Sequence, residues 1–138
     1  MKFMVCYNGS AAAKEALMLA QQHAKVWDAK VDVIETITRD TPLKHSFIEE
    51  TEGKLNQDVG KIMEGSDVSF AAQLLIGSLS AGEALVQFAQ EEQMDQIFIG
   101  IEKKSKVDKL IFGSTAQYVI LQAPCPVVTV KKYPGKKQ

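Results

Sequence analysis

The chain opens on a short apolar run, Phe3 to Tyr7, that stops at Asn8-Gly9-Ser10, and from Ala11 the spacing of apolar positions changes. An apolar run of that length bounded by turn residues predicts a buried strand. Ala13, Ala16, Leu17, Ala20 and Ala24 then share one stripe with Lys14, Gln21 and Lys25 off it, which predicts an amphipathic helix with Ser10 as its N-cap. The unit of strand, turn and helix recurs. Val31 to Ile37 predicts a second strand, and Thr41-Pro42 starts a longer acidic helix with Phe47, Leu55, Val59 and Ile62 near one face, closed by Gly65-Ser66. Val68 to Ile76 predicts a third strand. Ser80 and Glu83 then have capping-box spacing before a helix through Leu85, Phe88 and Ala89.

Ile97, Phe98 and Ile99 form a wholly apolar strand, the kind expected when helices cover both faces of a sheet, and it ends at Gly100. Ser114 and Gln117 repeat the capping-box spacing, a helix runs to about Leu121, and Ala-Pro-Cys-Pro breaks it before a last strand, Val127 to Val130. This alternation predicts an α/β fold, a single doubly wound open sheet of five parallel strands with four helices. In such sheets ligands sit beyond the carboxyl ends of the strands, where strand order reverses. Asn8-Gly9-Ser10 and Gly100 become two walls of one crevice if the first and fourth strands are neighbours.

Composition narrows the reading further. A chain of 138 residues, 46% hydrophobic and 24% charged, fits one domain over 1–138 with a polar, frayed tail at 131–138. The formal net charge of -1 argues against general affinity for nucleic acid or anionic membranes. The opening MKFMVCYNGS lacks a secretory-signal pattern, and no apolar run approaches the roughly 20 residues of a membrane span, so the expected location is the cytoplasm. Cys6 and Cys125 are far apart with no metal-ligand spacing, which predicts structural thiols, no disulfide framework and no metal site. His23 and His45 have no partners at catalytic spacing and read as surface or helix-face residues.

The segment from Gly100 to Ser114, GIEKKSKVDKLIFGS, carries the strongest chemical signal. Its glycine follows an apolar strand and its Gly-Ser opens a helix, whose first N–H groups and partial positive charge suit an anion. Lys103, Lys104, Lys106 and Lys109 add cationic charge nearby. The plainer reading of the same residues is a turn, an N-cap and a solvated face. The P-loop pattern of glycine, four residues and Gly-Lys-Ser/Thr is absent, so rapid nucleotide hydrolysis has no support and no catalytic residue is assigned.

In three places the chain resembles the universal stress protein family. VCYNGS is similar to the family's first strand and Val-Asp-Gly-Ser turn, and IFIG at 97–100 to its fourth strand. The third place is the spacing of glycine, two residues, glycine, nine residues and Gly-Ser, followed by APCPVVTV, with Gly100, Gly113 and Ser114 at the matching positions. The resemblance implies strand order 3-2-1-4-5 and a crevice between the first and fourth strands for ATP or AMP, with or without Mg2+. Carried over, it places Tyr7, Asn8 and Thr36 on the base side, Ile99 and Gly100 near ribose and phosphates, and Gly113, Ser114 and Thr115 on phosphate oxygens. Asn8 stands where ATP-binding members usually carry Asp, and Lys103 where the middle glycine is expected. Asn keeps an acceptor oxygen but loses the charge, and Lys103 offers an ammonium in place of backbone freedom. The implied function is a stress-responsive sensor or regulator that acts by binding adenine nucleotide, with at most slow ATP hydrolysis, and that dimerises through the last strand, Pro126 to Lys132. The alternative is a nucleotide-free family member that works as a homodimeric interaction module.

Overall fold

A computed structural model describes residues 1–39, 42–102 and 113–132. Among these residues strand and helix alternate throughout: β1 (Lys2–Cys6), α1 (Ala11–Trp27), β2 (Lys30–Thr38), α2 (His45–Ile62), β3 (Phe70–Gly77), α3 (Ala81–Glu91), β4 (Gln96–Ile101), α4 (Ser114–Gln122) and β5 (Val127–Lys131). The strands form one parallel sheet in the order β3-β2-β1-β4-β5, so the expected 3-2-1-4-5 topology is the observed one. Register is fixed at the centre, where Val5 lies beside Val33 of β2 and Phe98 of β4.

The period of two along each strand splits the core into two layers. Phe3, Val5, Val31, Val33 and Phe98 pack with Ala16, Leu17 and Ala20 of α1 and Leu55 and Val59 of α2. The alternate residues Met4, Cys6, Ile34, Ile97 and Ile99 pack with Leu85 and Ala89 of α3 and Val119 of α4. Phe3 and Phe98 meet with ring centroids 5.5 Å apart. His23, on α1, sits edge-on to Phe98 at 5.4 Å, which makes it a helix-face residue in contact with the core.

The buried stripe of α1 is alanine except for Leu17, and small side chains let a helix approach a sheet closely. How closely is measured at Gly100, where an added Cβ would lie 2.4 Å from the carbonyl carbon of Ala12 and 2.6 Å from the amide nitrogen of Ala13. The strand runs one residue past the expected end, to Ile101, and Gly100 within it is demanded by the packing of α1 on β4, whatever else approaches it.

Local capping signals are realised where the helix start is set locally. Ser10 Oγ accepts the Ala13 N–H at 3.1 Å, and Ser80 and Glu83 form a reciprocal capping box at the start of α3. Other expectations are corrected. The second helix starts at His45, with Lys44 as an N-cap that makes no side-chain bond, so Pro42 precedes the helix, and Thr41 lies outside the described residues. Its buried residues are Leu55 and Val59, whereas Phe47 is 49% exposed, so packing of the later turns decides where α2 lies. The third strand starts at Phe70, because Ser66 Oγ accepts the Val68 N–H at 3.1 Å and holds Val68 in the preceding turn. At α4 the N-cap is Gly113, which puts Ser114 at the first helical position, so the Ser114–Gln117 capping box does not form. The last strand reaches Lys131, paired with Ile101, and residues 133–138 of the expected tail lie outside the described residues.

Candidate functional site

In a doubly wound sheet every helix begins where a strand has just ended, so helix N-termini gather at the carboxyl edge of the sheet. Here that edge holds a cavity of about 340 Å³, lined by the ends of β1, β2 and β4 and by the first turns of α1, α3 and α4. It straddles the boundary between β1 and β4, where the chain reverses its direction of travel across the sheet. Tyr7, Asn8, Thr36, Ile99, Gly100, Gly113, Ser114 and Thr115, scattered over more than a hundred positions of sequence, all line this one cavity. Lys103, the remaining expected site residue, lies outside the described residues, as do Lys104, Lys106 and Lys109.

Each wall has its own local cause. The backbone N–H of Tyr7 donates to Ile34 O at 2.8 Å, which carries the β1–β2 ladder one residue past the strand end. The Tyr7 ring is 4% exposed, and its hydroxyl donates to Asp58 Oδ2 of α2 at 2.7 Å. Burial, the bond to Asp58 and the charge of Asp58 push that hydroxyl far above the usual phenol range, so it stays a neutral donor tied to α2. Asn8 Oδ1 accepts the Ser10 N–H at 3.1 Å, and Gly9 takes φ +79° to close the turn. The acceptor oxygen expected to face a ligand is thus already part of the turn that aims α1.

On the other side of the crevice, α4 presents its N-terminus with Gly113 as N-cap and no side chain of the described residues capping it. The first-turn N–H groups of a helix have no intrahelical acceptor, and together they act as about half a positive charge. Gly113 has φ -65°, and no atom of the described residues lies within 4 Å of a Cβ placed there, so the backbone itself makes no demand for glycine.

Other lining residues were not evident as site residues in the sequence. Ser10 and Leu85 arrive through the caps and packing of α1 and α3, and Glu35 and Glu102 are further residues of the wall. Glu35 carried a detectable signal, being an acidic residue inside a strand otherwise expected to be buried on both faces. Its carboxyl is raised above the ordinary range by burial first and by the charge of Asp58 second, with Lys54 acting in the opposite direction. Cys6 also lines the cavity, and burial followed by the influence of Cys125 pushes its thiol up to about 12, so it is inert rather than nucleophilic. Among the described residues no group of three or more His, Cys, Asp or Glu side chains is arranged to hold a metal ion. Nor is any helix among them long and apolar enough to cross a membrane.

A family model described as the universal stress protein family matches residues 1–131. The chain belongs to this family. A universal stress protein of Methanocaldococcus jannaschii is 30% identical over 141 residues, covering 95% of this chain and 82% of that protein. One from Thermus aquaticus is 31% identical over 134 residues, covering 93% of this chain and 96% of that protein. Among solved structures, the universal stress protein of Archaeoglobus fulgidus in complex with dAMP superposes with a TM-score of 0.80 at 27% identity, over 95% of this chain and 98% of that one. Universal stress proteins thus share this chain's topology across its described length, and at least one close in fold and sequence holds a nucleotide.

Proposed function

We propose that this universal stress protein binds an adenine nucleotide, ATP or AMP, in the cavity at the carboxyl edge of its sheet and acts as a stress-responsive sensor or regulator through that binding. The observation that carries the reading is the convergence of Tyr7, Asn8, Thr36, Ile99, Gly100, Gly113, Ser114 and Thr115 on one cavity beside the uncapped N-terminus of α4. A phosphate seated on the first turn of α4 would take N–H groups that no side chain of the described residues caps, in the turn that contains Ser114 and Thr115. Its oxygens would meet no side chain at Gly113, where no atom of the described residues lies within 4 Å of an added Cβ. Base and ribose would lie toward β1 and β2. The dAMP complex of the Archaeoglobus fulgidus relative supports a nucleotide as the ligand class. Any Mg2+ would travel with the phosphates, since the described residues supply no cluster of their own to hold it. The reading places the protein in the cytoplasm and makes it a homodimer, with β5 at the sheet edge as the pairing strand, because an unpaired β-branched edge such as Val127, Val128 and Val130 favours being covered.

A second reading, a nucleotide-free homodimeric interaction module, is favoured by specific features of the wall. Asn8 Oδ1 already accepts one hydrogen bond from Ser10, and the acidic residues among the described lining are Glu35 and Glu102. Isothermal calorimetry with AMP, ADP and ATP, with and without Mg2+, separates the two. The nucleotide reading expects saturable heat and a copurifying nucleotide released on denaturation. Absence of both at millimolar nucleotide overturns it and leaves the interaction module. Light scattering at micromolar protein checks the dimer, and a monomer there rejects it.

A further inference from the structure

We propose that Gly82 is a positioning residue for the phosphate: by leaving room for Tyr118 it sets how closely α4 lies against α3, and so where the first turn of α4 presents its N–H groups. The inference rests on the nucleotide reading above and adds to it a pair of residues, neither of which lines the cavity.

Gly82 is the second residue of α3 and is buried. Its backbone is helical, so nothing local calls for glycine, and alanine is the better helix former. The demand comes from a neighbour. A Cβ added at Gly82 would lie 2.9 Å from Tyr118 Cβ, 2.9 Å from its Cδ1 and 3.0 Å from its Cγ. Carbon atoms pack at about 3.5–4.0 Å, so an alanine here forces the two helices apart by roughly 0.5–1 Å. Turning the Tyr118 ring does not relieve the contact, because a Cβ is fixed to the backbone of its helix.

Which helix yields follows from how each is held. Ser80 and Glu83 bracket Gly82 in the reciprocal capping box, with Ser80 Oγ accepting the Glu83 N–H at 3.3 Å and the Ser80 N–H donating to Glu83 Oε1 at 3.3 Å. Farther along α3, Leu85, Val86 and Ala89 are buried. By contrast α4 buries Ala116 and Val119, has no side-chain cap among the described residues, and packs more on α3 than on β4. The displacement therefore falls on α4. Tyr118 lies four residues after Ser114 and three after Thr115, on the same face one turn on, so a shift at Tyr118 carries to both. Ser114 and Thr115 line the cavity opposite Ala81 and Leu85 of α3. An N–H serves an oxygen best at about 2.9 Å and little beyond about 3.5 Å, so a shift of this size withdraws a donor from a phosphate whose nucleoside is seated against the strand ends.

The test measures AMP and adenosine, which lacks only the phosphate, on the wild type, Gly82→Ala and the double variant Gly82→Ala with Tyr118→Gly, which moves the missing Cβ to the other side of the same contact. The wild type is expected to prefer AMP by about tenfold or more, the worth of charge-assisted bonds to the phosphate. In Gly82→Ala the AMP affinity falls about tenfold while adenosine changes less than about twofold, and the double variant returns AMP to within about threefold of the wild type. A purely structural role for Gly82 predicts lower stability in urea with the AMP preference intact, and that result overturns the proposal. So does a parallel fall for AMP and adenosine, or a double variant that folds without recovering AMP. Equal wild-type affinities for AMP and adenosine overturn the phosphate seat on α4 and the role of Gly82 with it. Failure of the wild type to bind either compound overturns the nucleotide reading itself. Should one variant fail to fold, the other decides alone: a lost preference in Gly82→Ala or a kept one in the double variant supports the proposal, and the reverse rejects it.

Discussion

Replacing Gly100 by alanine tests whether this motif glycine belongs first to the fold. The new Cβ would lie 2.4 Å from Ala12 C, 2.6 Å from Ala12 O and 2.6 Å from Ala13 N, all backbone atoms of the first turn of α1. Ordinary carbon contacts begin about 1 Å farther out, and backbone atoms cannot rotate away as a side-chain end does. The strain is relieved by lifting the start of α1 from β4. A gap of that size forfeits a quarter to a half of each dispersion contact along the lifted turn, and overpacking of this kind costs typically 1–3 kcal/mol. With backbone as the obstacle we expect about 3 kcal/mol in urea denaturation, seen as a lower midpoint at unchanged slope and about a 10 °C fall in Tm at this chain length. The companion variant is Gly113→Ser, at φ -65° with nothing among the described residues within 4 Å of a Cβ. It supplies a serine cap where no described side chain caps α4 and should stabilise by about a few tenths of a kcal/mol. Both measurements are made without nucleotide. A Gly100→Ala variant within about 0.5 kcal/mol of the wild type would refute the packing argument and return Gly100 to a purely ligand-facing role.

Tyr7→Phe removes the hydroxyl that ties the end of β1 to Asp58 on α2 and should cost about 1 kcal/mol by the same denaturation assay, with no loss if the tie is inconsequential. Glu35→Gln should stabilise the protein at neutral pH, because the wild-type carboxyl is raised above 4.5 by burial and by Asp58. In that window the folded state binds more protons than the unfolded one, so wild-type stability falls as pH rises through the raised value. The advantage of the variant should therefore shrink toward pH 4.5, and an advantage independent of pH rejects the assignment. The Cys6 thiol, pushed up to about 12 by burial, should resist a thiol reagent at pH 8 in the native protein and react on denaturation, whereas rapid native labelling at Cys6 contradicts its placement in the core.

The sequence by itself determined the order of elements, because strand and helix periodicities, the Ser10 cap and the Ser80–Glu83 box are interactions among residues a few positions apart. It also pointed to the strand ends that meet in the crevice, since turn residues and a Gly-Ser helix start are local signs, and family spacing tied Gly100 to Gly113. Where local signs compete with packing, the tertiary structure decided. A proline at a helix start did not set the beginning of α2, whose buried contacts lie in its later turns at Leu55 and Val59. The Ser114–Gln117 spacing did not become a box, because the helix begins one residue earlier than a serine cap requires. Gly100 reads as a ligand-facing glycine along the chain, and only the approach of Ala12 and Ala13 shows that α1 demands it. Glu35 and Glu102 became cavity walls because β1 lies between β2 and β4, a long-range pairing that no local pattern encodes.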